Sequence, residues 1–424
     1  MTAKHAPVKI EHPMQLLYYD RERFEKVADI FAVLLAASLP WSTSATGILA
    51  VLWLLAFIPS CDVASLRRIV SSPAGAWPLA LVAFGAVGLL WADVSWAEGG
   101  NGLSSFLKLL CIPLLMTQFG RSERAHHVLI GFFGSCILLL ILSWAIFFWP
   151  RLPFVDPFKT PGVPVKDYFS QGVMFTICLA IALQFAADEW RAKRRGLAAA
   201  MMSLAILFVA NILYIATSRT FLVVLPVVLV LFGYRQFGWK GIVASAAAFC
   251  LLVAAAWPSA DYLRVRVNTF ADQIRSYHPE GPPTPAGERL VFWTKSIEFM
   301  TVAPVFGHGT GSIKGLFERS TAGRSGMAAE ASTNPHNQML AVGIQLGIAG
   351  IAVLLAMWLS HLLLFRAPGA AGWIGLIVVV QNIVGSQFNS HLFDFTQGWA
   401  YVVGVGIAGG VVLKQSARSV AEAR

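Results

Sequence analysis

Residues 126–149 read HHVLIGFFGSCILLLILSWAIFFW, a run without Asp, Glu, Lys or Arg. As a helix, at ~1.5 Å per residue, this run is long enough to cross the ~30 Å hydrocarbon core of a bilayer. Working outward, eleven further stretches read the same way: 24–40, 42–59, 76–92, 102–119, 168–187, 196–216, 220–235, 239–257, 337–364, 369–388 and 395–414. The pattern predicts an all-α polytopic membrane protein with about twelve transmembrane helices. The first two stretches are short and separated by Pro40 and the polar Ser42, Thr43 and Ser44, which suits a tight hairpin or a pair of half-spans. The fourth carries Lys108 and Pro113.

Composition agrees. The chain has 424 residues, 57% hydrophobic and 13% charged, with mean hydropathy +0.66. Soluble domains carry nearly twice that share of charge, so an ordinary cytosolic enzyme and a disordered chain are both excluded. The net charge of +10 would suit nucleic acid, but the placement of Lys and Arg follows membrane topology instead, and no nucleic-acid partner is expected. With the N-terminus inside, inner segments hold most of the cations, such as Arg191, Lys193, Arg194 and Arg195 in one of them. The short outer loops hold only Arg151, Lys159, Lys166 and Arg219. Both termini are therefore expected in the cytoplasm. The five Cys lack a CxxC spacing, so neither a disulfide frame nor a zinc site is implied. The first residues are too polar for a cleavable signal, and the first span should act as an uncleaved anchor.

Three regions follow: an N-terminal bundle of nine spans (1–257), a large outer loop (258–335) and a C-terminal bundle of three spans (336–424). A loop that long is unusual without structure and points to work done at the outer surface. Leu290, Trp293, Ile297 and Met300 recur at helical spacing, predicting an amphipathic helix over about 286–301 that lies on the membrane surface or the span bundle. Pro282, Pro283, Pro285 and Pro304 bracket it, and Gly307-His308-Gly309-Thr310-Gly311 reads as a flexible turn.

The residues able to do chemistry cluster at the outer rim. In Asn334-Pro335-His336-Asn337-Gln338, Asn334 suits an N-cap and Pro335 the first helical position. His336 would then sit at the second, where the helix dipole disfavours imidazolium and leaves the neutral form a general base needs. The plainer alternative is an interfacial His bonded to a loop carbonyl. Arg219, in the turn Thr217-Ser218-Arg219-Thr220, runs against the inside bias and suits bidentate contact with phosphate; snorkelling to lipid head groups is the alternative. Arg289 heads the loop helix, where the dipole opposes a cation, so a partner other than Glu288 is expected. Arg264 and Arg266 alternate on an extended or irregular segment, with one of them turned inward. His391 and Asp394 have the spacing of a His–carboxylate pair. Gly343 and Gly347 read as a close helix-packing motif. No clustered acidic or His ligands are evident, so neither metal nor cofactor is expected.

In layout, and in Thr217-Ser218-Arg219, Arg289 with Trp293, Pro304 through Gly309, and His336-Asn337 with Gly347 and Gly350, the chain resembles the bacterial O-antigen ligase and polymerase superfamily. The resemblance implies a GT-C-like membrane glycosyltransferase with one large periplasmic loop, seated in the bacterial inner membrane with its active site periplasmic. Its donor would be an undecaprenyl-pyrophosphate-linked glycan. His336 would be the catalytic base. Arg219 and Arg289, with Arg266 or Arg264, would hold the pyrophosphate, supported by Ser218, Asn337 and Gln338, with no metal. A ligase would use lipid A–core oligosaccharide as acceptor, a polymerase another glycan repeat, and a third group protein Ser or Thr. The late loop fits the ligase best. A lipid-linked glycan transporter is the rival of another class, with Lys108 as its main mid-span charge.

Overall fold

The computed structural model describes residues 14–150, 160–216 and 218–422; the side chains of residues 14–20, Arg219, Tyr262, Arg266 and Val420 lie outside that description. The helices run in order α1 (Met14–Ser38), α2 (Thr43–Ser60), α3 (Val63–Val70), α4 (Pro73–Val87), α5 (Trp96–Leu107), α6 (Cys111–Phe119), α7 (Ala125–Phe148), α8 (Tyr168–Arg191) and α9 (Arg195–Tyr214). They continue as α10 (Arg219–Phe237), α11 (Trp239–Ala256), α12 (Asp261–Arg275), α13 (Pro285–Val302), α14 (Ile313–Thr321), α15 (Gln338–Leu364), α16 (Gly369–Gly385) and α17 (Phe395–Glu422). No strand occurs among the described residues.

Ten helical stretches among these residues are long and apolar enough to cross a bilayer. Two of the twelve expected spans fall short for local reasons. The first half of α1 carries Asp20, Arg21, Glu22, Arg23, Glu25 and Lys26. Helix α16 ends at Gly385, after which the chain turns through 386–394. The outward faces carry Leu55, Ile141, Ile206 and Leu251, each more than half exposed. Contiguous apolar surface of this kind needs an apolar solvent, and the chain is a multi-pass helical membrane protein. At the centre lies α8, buried over most of its length, whereas α11 is outermost.

Charged and polar contacts sort the helix ends. At one end Arg121 pairs with Glu25, Arg124 with Asp29 at 3.3 Å, and Arg418 with Glu123 at 2.6 Å. The buried Asp29 also accepts from Gln118 Nε2 and Ser122 Oγ, both at 2.8 Å, while Gln118 Oε1 accepts from Trp53 Nε1 at 2.7 Å. Exposed pairs of this kind stabilise little, but they fix which ends meet. At the opposite end Lys166 Nζ donates to Leu39 O at 2.6 Å and Thr310 Oγ1 to Gly85 O at 2.6 Å.

The large loop is a layer of three helices, α12 to α14, at this second end. Helix α13 matches the expected amphipathic helix in extent, but its inward face differs. Val291, Phe292, Lys295 and Ser296 are buried, while Ile297 of the expected stripe is 56% exposed. The buried face packs against α14 and α15, and Lys295 Nζ is satisfied by Ala328 O at 2.8 Å. The segment 304–311 is not a free turn. Helix α15 breaks at Gly347, whose φ is +63°. Across the break, His308 N donates to Ile344 O at 2.8 Å and Gly309 N to Gln345 O at 2.9 Å. Ile348 N in turn donates to Pro304 O at 2.9 Å, and Ala349 N to Val305 O at 3.2 Å. The loop thus supplies the backbone partners that the broken helix lacks. Gly343 and Gly347, expected as a helix-packing motif, instead receive this layer: Met300 lies on Gly343 and residues 305–306 on Gly347.

A Cβ at Gly347 would meet Val305 C and O at 2.3 Å, both backbone atoms, in a left-handed conformation. Gly347→Ala is expected to destabilise the protein by more than the ~1–3 kcal/mol of left-handed strain alone, read as a lowered melting midpoint in detergent. Gly100→Ala, on α5 with nothing within 4 Å of the added methyl, should be neutral or stabilise by up to ~1 kcal/mol.

Candidate active site

The chain between Ser332 and Asn337 forms a polar turn in front of α15. Asn337, not Asn334, is the N-cap: its Oδ1 accepts from Met339 N at 2.9 Å and Leu340 N at 3.2 Å. His336 therefore stands outside the helix rather than at its second position, and the helix-dipole argument for a neutral imidazole does not apply. Its backbone is left-handed instead, with φ +54°. Side-chain hydrogen bonds hold this unfavourable conformation. Asn334 Oδ1 accepts from His336 N at 2.8 Å and from Ser390 Oγ at 2.6 Å. The ring stacks on Phe292 of α13, centroids 6.2 Å apart and planes 27° apart. His336 Nδ1 lies 2.8 Å from Asn389 Oδ1. Burial holds the imidazole below its ordinary range, and the nearby Arg289 guanidinium adds to this, against the bond to Asn389. The downward pull comes from burial rather than from the helix dipole invoked in the sequence analysis.

Arg289 reaches this site because Thr284 caps α13, accepting from Gly287 N at 3.2 Å, with Pro285 in the first turn. Its guanidinium is half-buried, with no hydrogen-bond or ion-pair partner among the described residues. Burial lowers its affinity for the proton, while Tyr168 and Glu288 oppose this. A partly desolvated guanidinium without such a partner has the chemistry to accept an anion.

The other expected ligands divide. Arg264 lies on helix α12, not on an extended segment. Its Nη1 donates to Pro258 O at 2.6 Å and Trp257 O at 3.1 Å, and it pairs with Asp261. This guanidinium is occupied in capping the end of α11 and does not stand free for phosphate. The side chains of Arg219 and Arg266 lie outside the described residues, as do Thr217 and residues 151–159. Ser218 caps α10, its Oγ accepting from Phe221 N at 3.3 Å. Gln338 is buried, its Oε1 accepting from Leu392 N at 2.9 Å and Phe393 N at 3.2 Å, which ties α15 to the turn before α17.

His391 and Asp394 do not pair. The His391 ring is buried against Gly385 and the Phe169 ring, and burial pushes it down to about 3. The Asp394 carboxylate accepts instead from Asn389 Nδ2 at 2.7 Å. Burial raises it to about 6, against the attraction of Lys108. Asn389 is the residue that sequence reasoning missed. It sits 53 positions from its imidazole partner, and only the polar run 386–391 between two apolar stretches marked the region.

Two cavities adjoin this end. A polar one of about 410 Å³ is lined by Asn334, Ser390 and Asp394 together with Glu98, Asn101 and Ser105. An apolar one of about 430 Å³ runs between α8, α9, α10 and α11 and includes Tyr214 and Ala256 at the loop end. Among the described residues, no three His, Cys, Asp or Glu side chains gather as a metal site would require.

A family model described as O-antigen ligase matches residues 204–355. No curated protein matches the chain. The matched stretch runs from within α9 into α15 and holds Arg289, His336, and the break at Gly347 with the loop spliced into it. Over that stretch, about a third of its length, the chain is similar to the O-antigen ligase family.

Proposed function

We propose that this protein is an O-antigen ligase, transferring a glycan from undecaprenyl pyrophosphate to a hydroxyl of lipid A–core oligosaccharide at the periplasmic face of the bacterial inner membrane. The observation that carries the reading is the meeting of His336 and the unpaired Arg289 at the rim of a membrane bundle. The donor joins a pyrophosphate head to a long apolar tail. The apolar cavity between α8 and α11 suits such a tail, and the guanidinium of Arg289 suits the head. In this scheme the acceptor oxygen attacks the anomeric carbon. The bond from that carbon to the phosphate oxygen breaks, and its electron pair leaves with the polyprenyl pyrophosphate. His336 takes the acceptor proton. Arg289, with Arg219 and Arg266, offsets the charge that develops on the leaving group.

Arg289→Ala should lower kcat/KM by about 10–100-fold, the worth of ~1.5–3 kcal/mol for a charge-assisted contact. His336→Ala should lower kcat by ~10²–10⁴-fold. Both are measured in vesicles with lipid-linked glycan. Supplying lipid A–core, a second glycan repeat and a Ser/Thr peptide separately distinguishes ligase, polymerase and protein-glycosylating activity. Unchanged transfer in His336→Ala would remove the proposed base, and loss of activity on adding a chelator would contradict a metal-free reaction. Movement of lipid-linked glycan across vesicles without transfer would favour a transporter.

The electrostatic link between the two residues has its own test. The Arg289 cation disfavours imidazolium, so Arg289→Gln should raise the pKa of His336 toward its ordinary value. The pH dependence of diethyl pyrocarbonate modification at His336, followed by mass spectrometry, should move to higher pH in that variant.

A further inference from the structure

We infer that Asn389, oriented by Asp394, is a positioning residue that fixes His336 in the tautomer with its proton on Nδ1 and its lone pair on Nε2. The inference rests on the reading of His336 as the base and names the atom that acts. It follows from the polarity of a closed set of hydrogen bonds. The ionised carboxylate of Asp394 only accepts, so the group 2.7 Å from its Oδ2 is the Asn389 amide nitrogen. The Asn389 oxygen then faces the other way, where it accepts from Asn334 Nδ2 at 3.3 Å and stands 2.8 Å from His336 Nδ1.

Asn334 is oriented independently. Its oxygen is taken by the His336 N–H and the Ser390 hydroxyl, so its amino group must point at Asn389. Turning Asn389 over would set two amino groups face to face and a carbonyl against a carboxylate. An amide oxygen cannot donate, so the proton between Asn389 and the imidazole belongs to Nδ1. Neutral His336 then has one basic nitrogen, Nε2, and no described residue occupies it.

The choice of an amide next to the ring has a chemical consequence. A carboxylate at that position would favour imidazolium and hold the proton the base must be free to accept. Asn389 orients the ring without adding charge and keeps Asp394 one hydrogen bond further away. The charged groups facing this set are Arg289 and Glu288 on α13, Lys108 at the turn between α5 and α6, and Asp167 in front of α8. Because His336 must be neutral and Asp394 ionised, transfer should fall as pH is lowered through their titrations.

The test uses the full-length protein in vesicles with lipid-linked glycan and lipid A–core, comparing Asn389→Leu, Asn389→Asp, His336→Gln and Asn389→Leu/His336→Gln. Asn389→Leu should lower kcat at least about tenfold, within the ~10²–10⁴-fold that general-base catalysis supplies, with KM for the donor unchanged. Asn389→Asp should retain transfer at high pH and move the acid limb of the kcat–pH profile upward by ~1–3 units. Adding Asn389→Leu to His336→Gln should cost nothing more. An acid limb that stays in place in Asn389→Asp overturns the positioning role, whatever Asn389→Leu does. If His336→Gln is inactive in that case, the base survives without its orienting partner. An active His336→Gln overturns the base itself.

Discussion

The site depends on a break in a membrane helix and on what fills it. Inside a bilayer an unpaired backbone group has no water to turn to, so irregular backbone survives only where the protein itself supplies partners. At Gly347 the first part of α15 parts from the remainder, and residues 304–309 take up the carbonyls of Ile344 and Gln345 and the N–H groups of Ile348 and Ala349. Two N–H groups are given and two are received. This exchange anchors the end of α13 against α15. With Met300 on Gly343 and Phe292 packed among Phe317, Ala341 and Ile344, the whole face of α13 is then seated. Phe292 meets the His336 ring on that same face, and Arg289 lies one turn earlier.

His336 itself is held in a conformation that costs about 1–3 kcal/mol for a residue with a side chain. The bonds from Asn334, the stack on Phe292 and the start of α15 at Asn337 fix it from three sides. A His inside the first helical turn would be held by the helix and would point where the helix points. Placed before the helix, with positive φ, its ring is aimed by neighbours drawn from two distant parts of the chain. The lowering of its proton affinity has the same origin, since burial under Phe292 and the charge of Arg289 outweigh the bond to Asn389.

Most of the architecture was legible in the sequence because lipid imposes a simple rule on composition and length. The helices of the bundle, the helical layer between α11 and α15 and the extent of α13 all follow from runs of apolar residues and their interruptions. What was not legible depends on pairings over long separations. The inward face of α13 is set by α14 and α15 rather than by its own stripe, so Ile297 is exposed where periodicity buried it. The spacing in Gly343-x-x-x-Gly347 is the same for a packing motif and for a break, and only residues 304–309 decide between them. In the site, His336 and Arg289 were legible as residue types in plausible places. Asn389 was not, because an Asn in a polar turn carries no mark of what it faces. Arg264 was read as a ligand from its position, but the end of α11 claims it first.

The mid-span cation bears on the rival transport reading. A charged group within a membrane helix is often part of an ion or substrate path, facing water or a titrating partner. Lys108 sits at a 3-10 turn between α5 and α6, and its Nζ donates to Phe393 O and Asp394 O, both at 2.9 Å. Those carbonyls belong to the turn that carries Asn389 and Asp394. The ammonium is thus spent on fixing backbone, and its charge favours the ionised form of the neighbouring carboxylate. The ammonium is committed to two backbone carbonyls, and this contact holds the turn beside Asn389 in place. The same lysine that first suggested transport is, by its contacts, a brace for the turn that carries Asn389 and Asp394.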